Sequence, residues 1–212
     1  MEDEFVTREK KILTVLEHEI EDGEEMASAV RNYAEQLLLG EKGYAPADIR
    51  KRVVFDVVLG AETVASSVDF VVSVDSGSAM VVKCAAGSLS SRERHVVALA
   101  RVIEGLPIPV AVVIDPMSAV VLDSVTGKVS GEGFEAIPSR EQLKALVASR
   151  ERTPLAPEKL EREKRVLLAF DAIRCCIPQG ADGGVNLDEI RESKACSCGG
   201  VKGDEPQGQH RH

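Results

Sequence analysis

Asp69 and Lys83 are the residues of this chain whose chemistry fits their surroundings least. Each interrupts an aliphatic run, Val68-Asp69-Phe70-Val71-Val72 and Met80-Val81-Val82-Lys83-Cys84. Runs of β-branched residues favour strands. The short Asp75-Ser76-Gly77-Ser78 segment between them predicts a hairpin of Val68–Val74 with Ala79–Cys84. Strand alternation puts Val68, Phe70, Val72 and Val74 on one face and Asp69, Val71 and Ser73 on the other. It likewise separates Ala79, Val81 and Lys83 from Met80, Val82 and Cys84. A register that brings Asp69 and Lys83 to one face sets a carboxylate beside an ammonium in apolar surroundings. Burying either alone is costly, so they must pair or open onto a cleft. They read either as a structural ion pair or as part of a site.

Two further clusters carry chemistry. Arg92, Arg94 and His95 follow Ser90 and Ser91 at the start of a predicted helix. The arginines could face a phosphate at that helix N-terminus, or form a solvated charged turn. His95 is either a ligand or an exposed helix residue. The second cluster is Cys175-Cys176 and Cys196-Ser197-Cys198. Four thiolates could hold Zn²⁺ or an iron–sulfur cluster. Neither pair has the Cys-x-x-Cys spacing of a strong zinc signature, and the plainer reading is reduced cysteines at a helix end and in a tail. Cys84, on a strand, reads as a small core residue.

The elements that must position these residues follow from periodicity and breakers. Helices are expected over residues 5–20 and 24–39, a turn at 45–48, and strands over 53–59, 68–74 and 79–84. A helix over 91–103 leads to a buried strand at 108–114, with Pro109 near its start, where a missing donor is tolerated. A short hairpin joins 119–122 to 128–129. Ser139 and Gln142 form the pattern of a capping box for a helix ending near Arg150. Beyond the Thr153–Pro157 linker a charged amphipathic helix covers 158–173. The sequence thus divides into an α/β domain over 1–150, a C-terminal helix over 151–179 and a Cys-containing tail over 180–212.

Composition sets outer limits. Of 212 residues 44% are hydrophobic and only 3% aromatic, with no Trp, so Val, Leu, Ile and Ala must build the core. The net charge of -9 opposes broad non-specific binding to nucleic acid, although a local basic patch is compatible with it. No apolar run is long enough to span a bilayer, and the acidic Met1-Glu2-Asp3-Glu4 start does not read as a secretory signal. A cytoplasmic location is the resulting expectation. A phosphate loop, a dinucleotide fingerprint and a Gly-x-Ser-x-Gly elbow are all missing.

From Leu39 to about Pro138 the sequence resembles the N-terminal domain of type I restriction enzyme R subunits, within the restriction-endonuclease-like superfamily. The matching features are Glu41-Lys42-Gly43-Tyr44, Ser67-Val68-Asp69-Phe70-Val71-Val72, Val81-Val82-Lys83 and the helix from Ser91. The resemblance implies an α/β fold, a mixed sheet flanked by helices, here with a C-terminal helical extension. It also implies a Mg²⁺ site held by a strand Asp and the Glu of a Glu-x-Lys pair, with the Lys positioning or activating water. Asp69 and Lys83 match the Asp and the Lys, but Val81 stands at the Glu position and cannot ligate metal. His95 falls where the family often carries a Gln, and Glu24, Glu25 and Glu35 are candidates for a relocated acid. DNA or a nucleic-acid-processing protein is the implied partner, and 212 residues cannot also hold a translocase motor. Three readings follow: a non-catalytic nuclease-like binding or interaction module, an active Mg²⁺-dependent endonuclease with a displaced carboxylate, and a small Cys-ligated metalloprotein.

Overall fold

The computed structural model describes residues 25–75, 77–85, 89–150 and 152–175. Six strands form one sheet in chain order: β1 (Ile49–Leu59), β2 (Glu62–Val74), β3 (Gly77–Cys84), β4 (Val110–Ile114), β5 (Ala119–Asp123) and β6 (Val129–Glu132). All neighbours are antiparallel except β3 and β4, which are parallel and joined through helix α2 (Ser90–Val102). A parallel pair requires such a crossover, whereas the antiparallel neighbours need only turns. Helix α1 spans 25–36 and runs into a π-helical turn, Leu37–Glu41. Helices α3 (Arg140–Ala148) and α4 (Pro157–Cys175) follow the sheet. This is the expected α/β architecture, a mixed sheet with helices on both sides.

Two apolar cores lie on opposite faces of the sheet. The first packs Val30 and Ala34 of α1, Leu37 and Leu38 of the π-helical turn and Leu143 of α3 against Phe70, Val72, Val82 and Val112. The second packs residues 96–100 of α2 and Leu167 of α4 against Val71, Val81, Ala111 and Val113. The central strands β3, from Ala79 onward, and β4 are therefore buried on both faces, which explains the all-aliphatic β4 and the Ala79–Val82 run of β3. Capping is as the sequence predicts for α3: the Ser139 hydroxyl accepts from the Gln142 amide, and the Ser139 amide donates to the Gln142 side chain. The Glu41–Tyr44 segment fastens α1 to the far end of the domain. Tyr44 Oη donates to the Pro138 carbonyl at 2.9 Å, the Arg140 amide donates to the Lys42 carbonyl, and Gly43 takes φ +73° to make the turn.

Three sequence expectations change. The second strand begins at Glu62 rather than Val68, and the first at Ile49, so β1 and β2 form a long hairpin about Gly60. Ser66 and Ser67, which precede the expected strand start, are strand residues. The face assignment of β2 also fails along its length. Val64 and Val68 point into the second core, while Phe70, Val72 and Val74 point into the first. The switch falls at Asp69. Opposite it Arg52 has φ +50°, and the Arg52–Asp69 rung is missing between Lys51↔Phe70 and Val53↔Val68. A left-handed residue turns the strand about its own axis, so side chains of one parity leave by opposite faces before and after it. Likewise Ala79 joins Met80 in the first core because the β2–β3 register slips between Val72 and Ser73. The helix expected over 5–20 and the tail over 180–212 lie outside the described residues.

Candidate functional site

The break in β2 places Asp69 beside the end of β3. Its Oδ2 accepts a 2.8 Å hydrogen bond from the Cys84 amide and stands 3.5 Å from Lys83 Nζ; its Oδ1 lies 3.8 Å from Arg31 Nη1 of α1. Lys83 also donates to the Ser67 carbonyl at 3.1 Å. Both Asp69 and Lys83 are buried. The juxtaposition read from the sequence is therefore present, with a second cation that the sequence reading did not anticipate. Val81 is fully buried in the second core beside Val71 and Ala111. Cys84 is a free, buried thiol, as expected of a core residue. Burial, with Asp69 alongside, pushes that thiol up to about 12 despite the nearby Lys83 and Arg31, so at neutral pH it is not the thiolate that ligation or attack requires.

Among the described residues no acid from the N-terminal helix completes the pair. Glu25 is exposed, Glu35 forms an ion pair with Lys51 on β1, and Glu24 lies outside the described residues. Among the described residues no group of three His, Cys, Asp or Glu side chains could hold a metal ion. Cys176, Cys196 and Cys198 are outside the described residues, and Cys175 is seen only as the last residue of α4.

A second polar cluster borders the first. His95 is not on the surface with Arg92 and Arg94; it is 3% exposed, and its Nε2 lies 3.1 Å from Asp171 Oδ1 on α4. An ionised carboxylate only accepts, so Nε2 carries the hydrogen; Nδ1 is then buried with no hydrogen-bond partner. The ring stacks on Phe170 at a centroid distance of 4.8 Å. Ser66 Oγ donates to Asp171 Oδ2 at 2.6 Å. Burial alone would raise the Asp171 pKa, but the hydrogen bonds from His95 and Ser66 and the charges of His95 and Lys83 together hold it below the usual carboxylate range. A depressed pKa stabilises the fold above the unfolded value and loses that contribution as pH falls through the folded one. We therefore expect unfolding free energy, followed by urea titration, to fall with acidification below about pH 4. The Asp171→Asn variant should start lower and lack that part of the decline.

A third cluster joins α2 to α4. Glu163, 1% exposed, accepts from Arg101 Nη1 at 2.9 Å and from Arg94 Nη1 at 2.5 Å. Arg101 is itself buried and donates to the Ser124 and Val125 carbonyls. Arg94 is half exposed, and Arg92 is exposed. Thus the cluster Arg92, Arg94 and His95 disperses: one residue to solvent, one to Glu163 and one to Asp171. The sequence reading missed Glu163 and Asp171. The available signal was their spacing with Leu167, four residues apart each, which puts all three on one stripe of α4.

A mixed sheet between two helix pairs, with an aspartate on one central strand facing a lysine on the next, defines the restriction-endonuclease-like class of α/β domain. Within that class the chain belongs to the family described as type I restriction enzyme R protein N terminus, whose model matches residues 26–138, more than half of its length. No curated protein and no solved structure matches the chain. Helix α4, and with it Glu163 and Asp171, lies beyond the matched segment. Among the described residues no helix is long and apolar enough to cross a membrane.

Proposed function

We propose that this chain is a nuclease-like domain that does not cleave, and that it serves in the cytoplasm as a binding or interaction module for nucleic acid or a protein that processes it. The observation that carries this reading is the occupation of the Asp69 carboxylate by Lys83, Arg31 and the Cys84 amide. Lys83 and Arg31 both face this carboxylate, and two unit charges about 4 Å apart interact by roughly 4 kcal/mol near a protein surface. A divalent ion entering there would need carboxylate oxygens at about 2.1 Å. It meets Val81 where the second acid would stand. Family membership supports the link to nucleic acid; the cytoplasmic setting rests on the sequence alone.

The test is incubation of the full chain with plasmid and single-stranded DNA in Mg²⁺ or Mn²⁺, beside Asp69→Ala and Lys83→Ala. We expect no cleavage above background from any of the three. Wild-type cleavage that both substitutions abolish would overturn the reading and direct the search to a displaced acid. Duplex and single-stranded DNA binding, measured by anisotropy, should be unaffected by chelating the divalent ion.

A further inference from the structure

Beside the α2–α4 ion cluster lies an open groove of about 560 Å³, within the roughly 300–1,000 Å³ range of small-molecule sites. Arg94 and Arg101 line it from α2, and Lys159 and Arg162 from the first turns of α4. The opposing carboxylates are Glu93 and Glu163. Four cations against two carboxylates leave an excess of positive charge, in a chain whose net charge is -9. Among the described residues the lining carboxylates do not cancel this excess. Glu163 is shared by two guanidiniums, and Lys159 Nζ donates to a carbonyl, that of Val125, rather than to a carboxylate among the described residues. Val97 and Leu122, both buried, close the groove from beneath.

We propose that this groove binds a nucleotide-sized phosphate ester, either free or as part of a strand. The guanidiniums of Arg94 and Arg162 and the Lys159 ammonium suit phosphate oxygens, while Arg101, with its three nitrogens engaged, adds its charge from below. The groove is distinct from the Asp69–Lys83 position and is built partly on α4, outside the family match. Arg94 and His95 are adjacent on α2, yet Arg94 serves the groove while His95 turns to Asp171.

The probes are inorganic pyrophosphate, adenosine diphosphate and a fluorescein-labelled single-stranded 12-mer. Each is titrated into the full chain, the double variant Lys159→Glu/Arg162→Glu, and Arg165→Glu. Arg165 is exposed on the same helix and pairs with Glu161, so it controls for bulk charge. Wild type and Arg165→Glu should bind pyrophosphate and adenosine diphosphate, and the double variant should bind both at least ten-fold more weakly. If the strand occupies the groove, its log–log salt slope should drop in magnitude by about 1.4, the value for two lost phosphate contacts on a single strand. Adenosine diphosphate binding without strand binding would identify a free nucleotide as the source, and would overturn the nucleic-acid part of the functional reading while leaving the groove. Pyrophosphate and adenosine diphosphate binding that survives the double variant, or no saturable binding of any probe, would overturn the groove.

Discussion

Replacing Glu163 with alanine should lower the unfolding free energy by about 3–5 kcal/mol, the range for breaking a buried ion pair from one side. Glu163 has both oxygens engaged, one by Arg101 and one by Arg94. Their fates differ once the carboxylate is gone. Arg94 is half exposed and can turn to water, whereas Arg101 is buried and tied to the Ser124 and Val125 carbonyls. The cost is therefore the desolvated charge left on Arg101, not the summed attraction of two pairs. Glu163→Gln should lose less, because the amide oxygen still accepts one hydrogen bond. Arg94→Ala should lose about 1 kcal/mol or less, as for a partly exposed pair. Urea unfolding of the full chain gives the ranking. Equal losses for Glu163→Ala and Arg94→Ala would show that Arg101 finds another partner and that the cluster does not fix α4.

That prediction depends on α4 being a wall of the second core, a role the sequence conceals. Its charged composition reads as an extension, and its most buried positions include Glu163 and Asp171 beside Leu167. A stripe of Glu, Leu and Asp has no apolar periodicity to detect, since the acids are buried by partners distant in sequence: Arg101, Ser66 and His95. The central strands were legible for the opposite reason. Burial on both faces demands apolar side chains, and β4 and the Ala79–Cys84 part of β3 have them, with Lys83 as the exception. The capping box of α3 was legible because it is local, needing only Ser139 and Gln142.

The site itself was half legible. Alternation brought Asp69 and Lys83 together, and they are together, but for a reason alternation does not contain. Arg52 turns the β1–β2 hairpin at Asp69, and that break frees the carboxylate to accept from the Cys84 amide. Val81 was visible as a missing acid; Arg31 was not visible as a replacement charge, because its placement depends on how α1 docks on the first core. The outcome is a position in which Asp69 faces Lys83 and one further cation, Arg31, with Val81 on the strand beside it.

If the pair is structural, Asp69→Ala should destabilise the chain by about 3–5 kcal/mol, far more than removing its lysine partner. Asp69 leaves behind two cations, Lys83 and Arg31, together with the buried Cys84 amide. An unsatisfied buried donor adds about 1–3 kcal/mol of its own, part of which the remaining structure recovers by relaxing. Lys83→Met removes a charge but keeps the aliphatic stem, and Asp69 retains Arg31 and the Cys84 amide; the loss should be the smaller of the two. The double variant should cost less than the sum of the singles, because removing Lys83 relieves part of what Asp69→Ala leaves unpaired. Urea unfolding of the four proteins closes this cycle. A site maintained for catalysis predicts another pattern, in which Asp69→Ala is neutral or stabilising and cleavage is what disappears. The cycle and the cleavage assay together therefore separate a charge pair kept for the fold from one kept for chemistry.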